Sequence, residues 1–343
     1  NLDDKDVLFS FYNMRRRLDW GLTYYRSTVT DYPFYRQDDF PLSALPNKLF
    51  SSIYQVNVSY PWDKVRSLRA NVALRNDRVA IKTFVNYPPS LAIGDTVKNS
   101  LLSHFEYVHD NSINPALNIW NGLRYKIYTD INTDLTKNKQ GKLTFNVGTD
   151  IRYYYPIYRN FIWAGRGAVD ISWGSQKILY YLGGTDSWIA PKFNDANVPA
   201  SNQTYAYQSL AVNLRGYRQN AANGNNAVVV NSEFRLPVFT TLLSRPINNA
   251  FLRNFQIIQF IDMGTAWDGA YNKMKRPSVS YVNDDRTVQV TFKGDGVGPF
   301  VGGYGFGLRS TLLGYFLRVD AGWPMSGFFN GKPVWYFSLG LDF

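Results

Sequence analysis

The 343-residue sequence contains no cysteine, which excludes a disulfide framework and any zinc site built on thiolates. Histidine is almost absent: only His104 and His109 occur, so a histidine-rich metal centre is not expected, nor is any cofactor. No run of ~18 apolar residues is present, and nothing reads as a membrane-spanning helix. No Gly-x-Ser-x-Gly elbow, Walker loop or His-Glu-x-x-His motif occurs, so no catalytic arrangement is expected and the chain reads as a non-enzyme. The run Gly302-Gly-Tyr-Gly-Phe-Gly307 looks superficially like a nucleotide loop, but it opens a strand pattern instead of following one into a helix. The first residues, Asn1-Leu-Asp-Asp-Lys-Asp6, are charged and polar and do not form a signal peptide. The sequence is therefore expected to be a mature product or a piece of one.

Aromatic residues, by contrast, are abundant: nine Trp, 25 Tyr and 23 Phe make up 17% of the chain. With a mean hydropathy of −0.29, this composition suits either a large soluble β protein or a membrane β-barrel. Barrel strands alternate lipid-facing apolar with inward polar residues and so average out as hydrophilic, and aromatics collect at the two membrane interfaces. The net charge of +11 would suit anionic lipid, lipopolysaccharide phosphate or nucleic acid. Period-two placement explains the interleaved aromatics better than nucleic-acid binding does.

Alternation runs through the chain. Val7, Phe9 and Phe11 share a face; after the basic turn Asn13-Met-Arg-Arg-Arg17 come Leu18, Trp20, Leu22 and Tyr24, opposed by Asp19, Gly21 and Thr23. Tyr54 to Tyr60 and Leu68 to Leu74 repeat the pattern, as do Leu101 to Tyr107 and then Ile119, Leu123, Tyr125 and Ile127. In the longest segment, Leu143, Phe145, Val147, Ile151, Tyr153 and Tyr155 oppose Thr144, Asn146, Gly148, Asp150 and Arg152. Phe161 to Trp173, Ala227 to Leu236, Phe255 to Ala266, Gly302 to Ser310, Tyr315 to Trp323 and Val334 to Phe343 bring the count to about thirteen strands.

Long and short connections alternate, as in an up-and-down antiparallel sheet with long loops at one end. Soluble sandwiches use Greek-key crossovers, which scramble loop lengths, and the charged inner faces argue against a dry core there. The expected fold is thus all-β: a transmembrane up-and-down antiparallel β-barrel. Stretches 28–48, 77–98, 175–224 and 268–300 are expected outside the cell, and the turns at 13–17, 61–64, 110–116 and 156–160 in the periplasm. Inward arginines at 69, 124, 152, 166 and 318 are expected to form an ion-pair lattice with neighbouring acids. With about thirteen strands, Asn1 would begin outside the cell, so upstream strands are expected to be missing.

Several motifs share one order along the chain. Leu214-Arg215-Gly216-Tyr217 lies in the long connection. Glu233 and Arg235 follow in Asn231-Ser-Glu-Phe-Arg-Leu-Pro237, then Asp262 in Phe260-Ile-Asp-Met-Gly264, Arg309 after the glycine run, and a closing Trp335-Tyr-Phe-Ser-Leu-Gly-Leu-Asp-Phe343. Parity alone places Glu233 and Arg235 opposite Val228, Val230, Phe234 and Leu236, and places Asp262 with Gly264. The ordered set resembles the C-terminal barrel of the BamA/TamA-type outer-membrane assembly and translocation superfamily, the bacterial surface antigen family. Gly183-Gly-Thr-Asp-Ser-Trp188 is similar to a branch in which the barrel follows a β-propeller.

The resemblance implies about sixteen strands in the complete barrel, with residues 1–343 as its C-terminal transmembrane domain lacking the first strands and an upstream periplasmic domain. It implies a long extracellular loop folded inward, with the tip Arg215-Gly216-Tyr217 pinned by Glu233 and Asp262. A guanidinium between two carboxylates makes bidentate, charge-assisted bonds that lysine cannot reproduce. It also implies that Trp335, Phe337, Leu339, Leu341 and Phe343 form a C-terminal strand signal on one outward face. One departure from the pattern concerns Gly183-Gly184, which lies about thirty residues ahead of the tip instead of shortly before it, so 185–210 reads as an insertion. The implied function is insertion of β-barrel proteins into the bacterial outer membrane through a weak seam between first and last strands. The alternatives are a translocation pore and a structural barrel anchoring a larger complex. Implied partners are outer-membrane lipid and lipopolysaccharide, client β-barrel proteins and accessory lipoproteins or other subunits, with no nucleic acid.

Overall fold

Alternation of apolar and polar residues becomes strand after strand in a computed structural model of the chain. It describes residues 5–31, 47–81, 96–136, 142–195, 197, 199, 204–271, 278–282, 289–293, 300–325, 329 and 331–343. The elements in order are β1 (Lys5–Asn13), β2 (Asp19–Asp31), β3 (Asn47–Pro61), β4 (Arg66–Ile81), β5 (Thr96–Asp110), β6 (Ile113–Ala116), β7 (Ile119–Asp134), β8 (Leu143–Tyr158), β9 (Phe161–Gly174), β10 (Lys177–Leu182), β11 (Tyr205–Leu210), β12 (Ala222–Gly224), β13 (Asn226–Pro237), α1 (Val238–Leu242), α2 (Ala250–Arg253), β14 (Gln256–Trp267), β15 (Ser278–Val282), β16 (Gln289–Lys293), β17 (Val301–Leu312), β18 (Tyr315–Pro324) and β19 (Val334–Leu339). No helix among the described residues is long and apolar enough to cross a membrane, which says nothing of strands.

The main sheet holds 14 strands, 13 of them on one path: β1-β2-β3-β4-β5-β7-β8-β9-β13-β14-β17-β18-β19, with β6 paired to β7. Apart from the skipped loop strands, each strand pairs with its neighbour in sequence, the pattern that alternating loop lengths predict. The chain divides into two compact units, Asn1–Tyr107 with Tyr128–Phe145, and Val108–Ile127 with Asn146–Phe343. In the first, β1 to β4 form a long ladder with Phe11 opposite Leu22, Tyr24 opposite Tyr54 and Val56 opposite Val72. The turn at 62–66 is set by Asp63, whose carboxylate accepts the backbone N–H groups of Val65 (2.9 Å) and Arg66 (2.8 Å). Those bonds, with the Arg66 guanidinium, hold its pKa below the usual carboxylate value.

The outward faces follow the expected parity: Trp20, Leu22, Val147, Ile151, Tyr153, Val230, Phe234, Phe306 and Leu308 are exposed, large and apolar. Two residues depart from it for one reason. Ile119 and Phe343 are buried together with Tyr154, Ile162 and Ala164, not on the faces of Leu123 and Leu341. A left-handed glycine lies between each residue and its expected face: Gly122 (φ 111°) within β7, between Ile119 and Leu123, and Gly340 (φ 107°) just past the end of β19, before Phe343. A positive φ resets which face the following residues occupy, and composition gives no sign of it.

Several expected connections are narrower or more structured than the sequence implied. The stretch 110–116 contains β6, and β8 continues to Tyr158, so the 156–160 turn shrinks to Arg159 (φ 49°) and Asn160. Strands extend into both early loops, leaving 32–46 and 82–95 outside the described residues, as are 272–277, 283–288 and 294–299 of the 268–300 stretch. Between β13 and β14 lie the two short helices, for which the alternation pattern gave no signal.

Candidate functional site

The 175–224 connection folds into a small sheet of its own, β11-β10-β12. Alternation in Lys177–Leu182 buries Ile178, Tyr180 and Leu182 against Val212, Leu214, Ala221 and Ala222. These pack in turn on Ala168, Ala227 and Val229 of the sheet. The loop thus lays an apolar layer over the small inward residues of β9 and β13, beside the charged residues Asp170, Glu233 and Arg235 of the same strands.

The tip is held by one arginine. Arg215 is 2% exposed, and Glu233 and Asp262 are buried with it. Its Nε donates to Asp262 Oδ2 at 2.8 Å and its Nη2 to Asp262 Oδ1 at 2.9 Å, while its backbone N–H donates to Asp262 Oδ2 at 2.9 Å. Nη2 also lies 2.6 Å from Glu233 Oε1. The guanidinium stacks on the Phe260 ring with its carbon 3.7 Å from the centroid, adding a cation–π contact. Register explains the fork: Asn231 faces Asp262 across β13 and β14 and Glu233 faces Phe260, so the two acids sit diagonally on one face.

Beyond this fork the charges continue. Arg235 pairs with Glu233 (2.8 Å), Arg309 with Asp320 (2.9 Å) and Asp342 (2.8 Å), and Arg318 with Asp342 (3.3 Å) and Asp186 (2.9 Å). Neutral side chains join the network. Asn231 donates to Asp262 Oδ1 (2.8 Å) and to the Asn213 carbonyl (2.7 Å), and buried Asn118 donates to Asp342 Oδ2 (2.8 Å) while accepting the Asp342 N–H (2.9 Å). A buried guanidinium or carboxylate persists only when so paired. Parity marks Arg318 as inward, but not which acids it meets. The other expected inward arginines also meet acids: Arg69 pairs with Glu106, Arg124 with Asp110, and Arg152 and Arg166 with Asp150.

Glycines make the docking possible. A Cβ at Gly303 would lie on the Arg215 carbonyl oxygen, one at Gly322 would come 2.6 Å from the Gly216 nitrogen, and one at Gly264 2.8 Å from the Leu214 side chain. Gly216 itself needs φ 101°, and its own Cβ would meet the Trp323 carbonyl at 2.7 Å. The glycine run before Arg309 thus clears one face of β17 for the tip, while Tyr304, Phe306 and Leu308 occupy the other. Tyr336 completes the seat: its hydroxyl accepts the Gly216 N–H at 2.9 Å and donates to the Tyr217 carbonyl at 2.7 Å. Burial pushes the Tyr217 phenol up to about 12. At Asp186, burial pushes the carboxyl up, but Arg318 and the Asn213 amide outweigh it and hold the pKa below its usual value.

Gly183 and Gly184, thirty residues ahead in sequence, are adjacent to the tip in space. Gly184 pairs with Leu214, its N–H donating to the Tyr217 carbonyl (3.1 Å) and its carbonyl accepting the Leu214 N–H (3.0 Å). Of the expected C-terminal face, Trp335, Phe337, Leu339 and Leu341 are exposed together and Phe343 is not. The Phe343 ring instead lies under the Arg235 guanidinium at 4.9 Å, and its backbone oxygen accepts from Arg235 at 3.0 Å.

No protein-family model matches the sequence, and no curated protein does. Solved structures do match its fold. BamA from Haemophilus ducreyi lacking POTRA domains 1–3 aligns with a TM-score of 0.58 at 14% identity, covering 98% of this chain and 62% of that one. CdiB from Acinetobacter baumannii aligns at 0.52 with 12% identity, covering 98% and 49%, and CdiB from Escherichia coli at 0.50 with 10% identity, covering 98% and 52%. The chain spans less than two thirds of each. Its fold is that of the BamA-type barrel.

Proposed function

We propose that this chain is the membrane-embedded barrel of an outer-membrane insertion factor, acting on client β-barrel proteins at the edge of its last strand. The observation that carries this reading is the state of β19. It keeps only six residues, Val334–Leu339, in its ladder with β18, whereas β17 and β18 pair over ten. The Gly340 N–H donates to Phe316 on the β18 side, so the alternate residues Trp335, Phe337 and Leu339 turn their backbone groups to the opposite edge. An edge that is only partly paired in lipid is costly and therefore reactive, and an incoming strand satisfies it by β-augmentation.

The exposed aromatic and aliphatic belt suits contact with outer-membrane lipid, and the net charge of +11 suits lipopolysaccharide phosphate. Accessory lipoproteins or other subunits would bind the parts exposed at the two membrane surfaces. A passive pore fits less well, because the loop packs its apolar face and its arginine tip onto the strands that would line the passage. The pinned loop is a positioning device, and it carries no arrangement that would perform chemistry. The test is reconstitution. The full-length protein in lipid vesicles should accelerate membrane insertion of an unfolded outer-membrane barrel, read as protease-protected, heat-modifiable product. Insertion no faster than in protein-free vesicles would overturn the reading.

A further inference from the structure

The insertion at 185–210 reaches the very edge on which the proposed function depends. Trp188 forms an antiparallel bridge with Ser338, and the Ile189 N–H donates to the Phe337 carbonyl at 2.9 Å. That carbonyl belongs to the side of β19 facing away from β18. The two loop residues also alternate as a strand would. Trp188 turns inward, 8% exposed, with its ring 4.7 Å from that of Tyr336; Ile189 turns outward, 63% exposed, beside outward Phe337. Chance proximity of a loop would not be expected to reproduce backbone pairing and both side-chain faces together.

The segment is held in place from behind. Ser187 takes a left-handed φ of 53°, which turns the chain onto the edge. Just before it, the Asp186 N–H donates to Asn213 Oδ1 at 2.7 Å, and Arg318 donates to the Asp186 carbonyl (2.8 Å) and carboxylate (2.9 Å). Tyr336 joins this segment to the arginine tip: its ring packs at a tilt against Trp188 while its hydroxyl holds Gly216 and Tyr217.

We infer that Trp188-Ile189 is a built-in occupant of the free edge of β19, a two-residue pseudo-strand that an incoming strand must displace. The edge is thus a site for an extended segment with an aromatic residue inward and an aliphatic one outward, and the chain supplies its own first ligand. The identity of the natural competitor, a client β-strand, rests on the insertion reading; occupancy of the edge by the loop does not. One backbone hydrogen bond and one ring contact make a latch weak enough to be exchanged, whereas the buried Arg215 pairs that anchor the tip are not. The insertion then acts as a gate, closing the edge at rest without adding a permanent strand.

These 343 residues contain no cysteine, so the test can be made with single pairs in the full-length protein in lipid vesicles, with any cysteine elsewhere in it replaced by serine. Trp188→Cys with Ser338→Cys should form a disulfide under mild oxidation of the folded protein. A photo-crosslinking benzoylphenylalanine in place of Phe337 then reports what occupies the edge, with a synthetic peptide copying residues 184–192 as probe and a scrambled peptide as control. Peptide adduct should fall to the scrambled-peptide level when the disulfide is closed and return on reduction. Ile189→Pro deletes the donor yet keeps Trp188 extended, so adduct yield should rise roughly two- to tenfold, the effect of one backbone hydrogen bond. Failure of the disulfide to form in protein that migrates as folded would overturn the inference. So would an Ile189→Pro adduct yield equal to wild type. Client insertion is measured on the same samples: if the edge behaves as described but no client inserts in any state, the insertion reading fails and the latch stands.

Discussion

Arg215 pins the tip of a long loop to two carboxylates of the sheet, Asp262 and Glu233. Removing it leaves Asp262 and Glu233 buried and short of a counter-charge, a loss of roughly 3–5 kcal/mol. Arg215→Ala is therefore expected to free the loop, making the chain near Tyr217 sensitive to protease in the folded protein. Arg215→Lys should restore protection only in part, since an ammonium cannot engage both carboxylates in the plane of the fork. Asp262→Arg alone should be severely damaging, and adding Arg215→Asp should recover some of the loss. Wild-type protease resistance in Arg215→Ala would show that the tip is not held by this pair. Gly303 makes a complementary case. Gly303→Ala adds one methyl where the Arg215 carbonyl sits, so the tip should undock with every charge still present, reproducing the protease sensitivity of Arg215→Ala.

Strands were readable from the sequence because their period of two is dictated by lipid on one face and polar groups on the other. The thirteen alternating segments correspond to the thirteen strands on the main path of the sheet. Glu233 and Asp262 could be placed on one face by the same parity, and Arg215 became a candidate partner only through the order of motifs. What could not be read was set by single backbone angles and by long-range packing. Gly122 and Gly340 look like any other strand glycine, yet their positive φ moves Ile119 and Phe343 to the opposite face. The seat for the tip, with Gly303, Gly322 and the Tyr336 hydroxyl, is assembled from three strands, and no local pattern announces it; the period-two glycines were visible but had no assigned purpose. Tyr336→Phe is the cleanest test of that seat. It preserves the ring against Trp188 and strands the buried Gly216 N–H, while the Tyr217 carbonyl keeps the Gly184 N–H, so it should cost about 1–3 kcal/mol, seen as a lower melting temperature of the loop-docked state.

A membrane-spanning sheet with this order of loop lengths has one orientation consistent with the proposed function: the 175–224 loop outside the cell and the short turns in the periplasm. Cysteine labelling of intact cells reads it directly. An impermeant maleimide should modify Lys192→Cys, on an exposed part of the loop, and leave Lys64→Cys, in the turn set by Asp63, unmodified until the outer membrane is opened. The reverse result would invert the topology. The central claim is narrower: the free edge of β19 pairs with a strand of another protein during insertion. The most direct measurement is disulfide capture in cells. It would use the full-length protein carrying Leu339→Cys and a client barrel with cysteines scanned along its terminal strands. The account predicts a transient adduct at alternate client positions, appearing during insertion and lost as the client is released. A client that inserts at its normal rate with no adduct at any position would contradict it.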